Sequence, residues 1–141
     1  MEYIKTVSTY ILRLDPGEEI MASLRCLCEK EDIALAKIEG LGAADHAVIG
    51  LFDVNTKEFH KKTFDMPLEI SSIIGNVTRQ DGEVYLHVHV NVCDADLNSY
   101  GGHLVECRIS ATAEIFITAL PGHVDRYLNE QIGLNVFDFG N

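Results

Sequence analysis

His87-Val88-His89 and Gly101-Gly102-His103 bring three of the chain's six histidines into one short window. Side chains alternate along a β-strand, so His87 and His89 share a face. Twice the rise per residue puts their Cβ atoms about 7 Å apart. From there two imidazoles can converge on one ion at roughly 2.0–2.1 Å from each ring nitrogen. The glycine pair before His103 reads as a sharp turn. His103 joins the other two if residues 94–100 fold back as a loop, and Asp94, Ala95, Asp96, Asn98 and Ser99 have the composition for one. Three neutral imidazoles form the protein half of a zinc-type site with an open position. His87, His89 and His103 are therefore the metal-ligand candidates, and zinc is the expected ion. A lone histidine on a half-buried strand is more simply a side chain satisfied by backbone or carboxylate partners. The number and spacing of these three favour metal.

Catalysis at such a site needs a general base or a metal-activated water. Glu69, Glu106, Asp94 and Asp96 are the carboxylates available, and spacing singles out none of them. No GxSxG elbow, Walker loop or dinucleotide fingerprint occurs. Gly40-Leu41-Gly42 follows a strand but lacks the fingerprint spacing, and reads as a turn or bulge. Catalytic residues stay unassigned, and no organic cofactor is expected.

The elements that must position the histidines are mostly strands. Residues 3–14 are rich in Ile, Val, Thr and Tyr and read as one strand. Asp15-Pro16-Gly17-Glu18 reads as a helix start, with Asp15 as N-cap, Pro16 as first helical residue and Glu18 closing a capping box. Ile20, Met21, Leu24, Leu27 and Cys28 then form an apolar stripe at helical spacing. Further strands are expected at Ala34–Gly40, Ala47–Asp53, Glu58–Phe64, Leu68–Val77, Val84–Cys93 and Cys107–Leu120. Turns at Asn55-Thr56-Lys57 and Gln80-Asp81-Gly82 imply antiparallel neighbours. Residues 123–131 suggest a short helix or turn with Tyr127 and Leu128 packing, and Leu134–Phe139 a short strand. On Val84–Cys93, the aliphatic face of Leu86, Val88, Val90 and Val92 belongs to the core. Tyr85, His87, His89, Asn91 and Cys93 face the other way, toward a pocket or a subunit interface. The fold class is α+β: a bent, mainly antiparallel sheet with one main helix packed on it.

The chain has 141 residues, which fits one domain, and a formal charge of −11 from 22 acidic and 11 basic side chains. Such a balance disfavours DNA binding, which depends on Lys and Arg neutralising phosphates. Lys57, His60, Lys61 and Lys62 make the one basic cluster, expected as a solvated strand edge. No apolar run approaches the roughly 20 residues of a membrane span, and the N-terminus lacks a signal-peptide pattern. A cytoplasmic protein with reduced thiols and no membrane partner is expected. Of the four cysteines, Cys28 and Cys107 read as core, Cys26 as partly exposed, and Cys93 as the one thiol near the histidines.

Three stretches together carry a family resemblance: residues 68–77 (Leu68 to Val77), Leu86-His87-Val88-His89-Val90, and Tyr100-Gly101-Gly102-His103-Leu104. With Thr112-Ala113-Glu114-Ile115-Phe116-Ile117 as a closing strand, they resemble the prokaryotic branch of the plants-and-prokaryotes-conserved (PPC) domain over roughly residues 3–120. The resemblance implies a single PPC-like domain over residues 1–141, with core 3–120 and a C-terminal extension 121–141. It also implies assembly as a homotrimer. In plants the domain follows AT-hooks in nuclear DNA-binding proteins; prokaryotic members stand alone and often carry the histidine trio. The resemblance thus implies His87, His89 and His103 as ligands for zinc. No Arg-Gly-Arg hook core occurs in this chain.

Three functions follow as expectations. The first is a metal-binding trimeric domain with a regulatory or scaffolding role. The second is a DNA-binding protein, disfavoured by the charge. The third, and the alternative from a different class, is a small zinc-dependent hydrolase or lyase with an open metal position. The small molecule it would take is not specified by the sequence.

Overall fold

The structure, a computed structural model, describes residues 1–140. Its strands are β1 (Glu2–Lys5), β2 (Thr9–Leu14), β3 (Ala36–Asp53), β4 (Glu58–Gln80), β5 (Glu83–Cys93), β6 (Ser99–Ala119), β7 (Asp125–Asn129) and β8 (Leu134–Asp138), with one helix, α1 (Ile20–Lys30). All pairings are antiparallel. The main sheet runs β1-β2-β6-β3-β4-β5, and β5 pairs again with β6. That last pairing closes β6, β3, β4 and β5 into a ring, so the bent sheet expected from the sequence becomes a barrel-like core. Leu12, Ile38, Ile70, Ile73, Leu104 and Ile115 are among its fully buried fillers.

Several expected boundaries shift for local reasons. Residues 3–14 are a hairpin, not one strand: the Thr6 hydroxyl and amide both bond the Thr9 carbonyl and reverse the chain. Strands expected as pairs are single long ones. Residues 36–53 run unbroken through bulges at Gly40/Gly42 and Ala44/His46, so Gly40-Leu41-Gly42 is a bulge. Pro67 lies in the second irregularity, where its missing N–H breaks no ladder bond. Within residues 123–131, Asp125–Asn129 is strand rather than helix and 130–131 are turn, and Tyr127 and Leu128 point outward, 48% and 57% exposed.

The helix starts later than expected. Gly17, at φ +89°, and Pro16 fold Asp15–Glu18 into a type II turn, with the Glu18 amide on the Asp15 carbonyl at 3.1 Å. The Glu18 carboxylate still accepts the Asp15 amide at 2.8 Å, half of the expected capping box. The N-cap itself is Glu19, whose carboxylate accepts the Met21 and Ala22 amides and also the Cys107 amide of β6 at 2.9 Å. Arg25 donates to the Val84 carbonyl of β5 at 2.8 Å. The helix is thereby fastened to β5 and β6, and it buries Ile20, Leu24, Leu27 and Cys28. Burial pushes the Cys28 and Cys107 thiols up to about 12, which keeps them unreactive core groups. Cys26 is exposed.

Candidate metal centre

Burial along β5 alternates without a break. Val84, Leu86, Val88, Val90 and Val92 are buried in the core. Tyr85, His87, His89, Asn91 and Cys93 take the opposite face, as period two requires. His103 arrives from β6 and is the direct cross-strand partner of His89. Facing residues of adjacent strands share one side of the sheet, so all three imidazoles meet on the outer face. Ring centroids are 5.2 Å apart for His87–His89, 5.4 Å for His87–His103 and 5.6 Å for His89–His103. One ring nitrogen from each lies within 4.8 Å of the others. An ion at ordinary zinc–nitrogen distances needs these nitrogens roughly 3.3 Å apart, within reach of small side-chain rotations. Among the described residues, none of the three rings hydrogen-bonds a protein group, so their lone pairs are free for an ion. The donor set therefore fits a borderline metal such as zinc.

The route by which His103 reaches the site differs from the sequence reading. Gly101-Gly102 is not a turn but extended strand inside β6. The chain reverses earlier, over residues 94–98. There the Asp94 carboxylate accepts the Asp96 and Asn98 amides at 3.0 and 2.9 Å and the Tyr100 hydroxyl at 3.0 Å, while Leu97 takes φ +62°. The glycines are needed for close approach instead. A Cβ on Gly102 would lie 2.6 Å from the Gly50 carbonyl oxygen of β3, and one on Gly50 would lie 2.1 Å from the Phe59 ring. The bare Gly102 lets β3 and β6 close together, and the bare Gly50 lets Phe59 set its edge against His103, centroids 5.7 Å apart.

A cavity of about 580 Å³ opens in front of the histidines. Leu51, Phe52, Phe59 and Leu134 make its apolar walls; Tyr85 and Asn135 add polar atoms beside His87. None of Glu69, Glu106, Asp94 and Asp96 lines it. Glu69 pairs with Cys93, farther along the strand. Glu106 lies 3.7 Å from His46, whose other nitrogen is 2.5 Å from Asp65, in a separate cluster. Asp94 and Asp96 hold the turn. Cys93 shares the histidine face but stands ~13 Å along the strand from His89. Sequence reasoning missed the wall residues Phe59, Leu134 and Asn135, because they belong to strands distant in sequence. It also missed Arg126, which carries no motif and packs behind Tyr85, with its guanidinium 4.5 Å from the ring centroid.

The site keeps the imidazoles of His87 and His103 neutral. Burial, then the nearby His103, Arg126 and His89, lowers His87 to about 4. Burial and His89 lower His103 as well. In the unfolded chain an imidazole titrates near 6.5. Below that pH the unfolded state binds more protons than the native state, so stability present above about 6.5 is lost as pH falls toward 4. In chelator, the melting temperature should fall through this window, and His87→Asn should fall less; an identical pH slope in both proteins would refute the assignment.

Residues 1–121 match the family described as the Plants and Prokaryotes Conserved (PCC) domain. Among solved structures, a candidate DNA-binding protein from Bacteroides thetaiotaomicron is 30% identical with a TM-score of 0.96, covering 99% of this chain and 98% of that one. A metal-containing protein from Archaeoglobus fulgidus is 35% identical with a TM-score of 0.87, covering 96% of both chains. A plant- and prokaryote-conserved protein from Pyrococcus horikoshii is 33% identical with a TM-score of 0.87, covering 97% and 93%. The bifunctional protein GlmU of a Synechococcus strain is 29% identical over 118 residues, and the matched part of this chain spans 17% of its length.

Proposed function

The chain belongs to the Plants and Prokaryotes Conserved domain family, and on that footing we propose that it is a trimeric metal-binding domain with a regulatory role, holding zinc on His87, His89 and His103. The observation that carries this reading is the convergence of three unpartnered imidazoles at the mouth of one cavity. The metal-containing relative from Archaeoglobus fulgidus supports it. Metal analysis after dialysis against zinc should give one ion per chain, and a cobalt-loaded sample should show the bands of a nitrogen-ligated site. Less than a tenth of an ion per chain would sink the metal reading.

Trimer formation is supported by the outer face of the sheet. One cross-strand row runs Ile4–Ile11–Phe116–Glu39–Ile74–His89–His103. Ile4, Phe116 and Ile74 are 63%, 46% and 62% exposed. Exposed apolar side chains of this kind favour contact with another surface, and the row, interrupted by Glu39, ends on the histidines. Native mass spectrometry should find three chains per particle, and Ile74→Asp should shift it to monomer. A wild-type monomer at micromolar concentration would refute the trimer.

A DNA-associated role rests on the Bacteroides relative. The charge of −11 opposes it. The basic ribbon is also partly engaged, with Lys62 over the Phe64 and Tyr100 rings and Lys57 bonded to the Gln131 carbonyl. Absence of duplex binding at low salt would remove it. The enzyme reading draws on the cavity beside an open metal position, but no carboxylate base lines that cavity. A metal-loaded sample silent toward ester, amide and phosphoester substrates would remove it too. Among the described residues, no helix is long and apolar enough to cross a membrane.

A further inference from the structure

Among the described residues, Arg126 is the one buried charged side chain, 8% exposed. It reaches from β7 across the outer face of β4 and β5, over two cross-strand pairs, Asn76–His87 and Thr78–Tyr85. Its Nε donates to the Thr78 hydroxyl at 2.8 Å, and its terminal nitrogens donate to the Asn76 side-chain oxygen and the Asn135 carbonyl, both at 2.9 Å. The Tyr85 and Phe137 rings sandwich it, each centroid 4.5 Å away. Every one of these partners is neutral. Arg13, Arg79 and Arg108 each pair with a carboxylate; Arg126 has none within reach among the described residues. Hydrogen bonds and ring faces satisfy its donors but leave its charge uncompensated, and an unpaired cation withdrawn from water is costly.

The charge stands directly behind the polar wall of the cavity. Tyr85, His87 and Asn135 line that wall, and each touches Arg126 or faces one of its partners across the ladder. The far wall is Leu51, Phe52, Phe59 and Leu134, and no Asp or Glu lines the cavity. In a chain of net charge −11, this is a pocket with a positive end and an apolar end. The geometry points to a small carboxylate with an apolar body as its ligand. The carboxylate oxygen faces the histidine cluster and the field of Arg126, and the apolar body lies against Phe52, Phe59 and Leu134. The volume suits a small molecule. A bare inorganic anion would leave the apolar wall uncovered, and an organic cation would be repelled by the bound metal and by Arg126. This inference rests on the metal reading for the histidine end of the pocket, with Arg126 acting as a positioning charge behind it.

The test compares isovalerate with its neutral isostere isovaleramide by calorimetry on zinc-loaded protein, and by the visible bands of the cobalt-loaded form. The acid should bind at least about tenfold more tightly than the amide and should shift the cobalt bands. Arg126→Met should bring the two within about twofold of each other, Arg126→Lys should restore most of the preference, and Arg13→Met, which removes an equal charge elsewhere, should leave it intact. Equal binding of acid and amide by the wild type overturns the proposal, as does a preference that survives Arg126→Met or falls equally in Arg13→Met. If Arg126→Met loses its cooperative melting transition, the wild-type comparison and Arg126→Lys decide. Failure to take up cobalt removes the metal reading and this inference with it. Uptake without an acid preference removes this inference alone.

Discussion

Replacing His87 and His89 together with alanine should abolish specific metal binding while leaving the fold intact. Both side chains lie on the outer face of β5, and the buried alternation of Val84, Leu86, Val88, Val90 and Val92 that anchors the strand is untouched. Loss of two of the three proposed ligands leaves His103 alone, so affinity should fall at least about a thousandfold, beyond the 10–100-fold typical of a lost partner outside the ligand set. Thermal shift gives an independent readout. A ligand at a hundred times its dissociation constant stabilises the native state by about 2.7 kcal/mol. Zinc should therefore raise the melting temperature of the wild type and not of the double variant. Without metal, the variant should melt no lower than the wild type and less steeply with acid, since a half-buried imidazole held near 4 has been removed. Full occupancy in the double variant would move the metal elsewhere on the chain.

Gly102→Ala should destabilise the protein by about 1–3 kcal/mol, in line with overpacking of a closed interior. The added methyl would lie 2.6 Å from the Gly50 carbonyl oxygen and 3.0 Å from the Ile49 side chain. The oxygen belongs to backbone fixed in the β3–β6 ladder, where Gly50 pairs with His103. The strands must therefore part at the residue before the third histidine, and metal affinity should drop along with stability. Gly50→Ala is the instructive contrast. Its methyl meets the Phe59 ring, at 2.1 Å, and Phe59 is 38% exposed and free to swing away. Stability should change little while the cavity wall opens. Urea denaturation measures the first effect, and competition with a chromogenic chelator measures metal affinity in both variants. Equal stability of Gly102→Ala and wild type would show that the close approach is relaxed in solution.

Much of the fold was legible because it is periodic. The stripe of Ile20, Leu24, Leu27 and Cys28 marked the helix, and the alternation from Val84 to Cys93 marked both the core face and the histidine face. Asp81 and Gly82 both take positive φ, as the hairpin turn there demands. Other features failed at points of contact between distant segments. Asp15 resembled an N-cap, yet Gly17 and Glu18 exchange backbone hydrogen bonds with Ile109, and the cap passed to Glu19. Residues 123–131 carried few strand signals, yet Asp125–Asn129 pairs in register with β8. Gly101-Gly102 resembled a turn, and is strand.

The histidine trio shows where this division falls. Residue types and spacing alone determined that His87 and His89 share a face, that this face lies opposite the core, and that His103 is a third candidate donor on condition that residues 94–100 fold back. Those are properties of alternation along one strand and of side-chain chemistry. Tertiary structure decided that His103 sits directly opposite His89 in the ladder, that the bare Gly102 lets β3 and β6 close behind it, and that β3, β4 and β8 wall the cavity. It also placed the uncompensated charge of Arg126 behind Tyr85. Register between strands is set by bulges and close packing among residues far apart in the chain, and local periodicity carries no record of it.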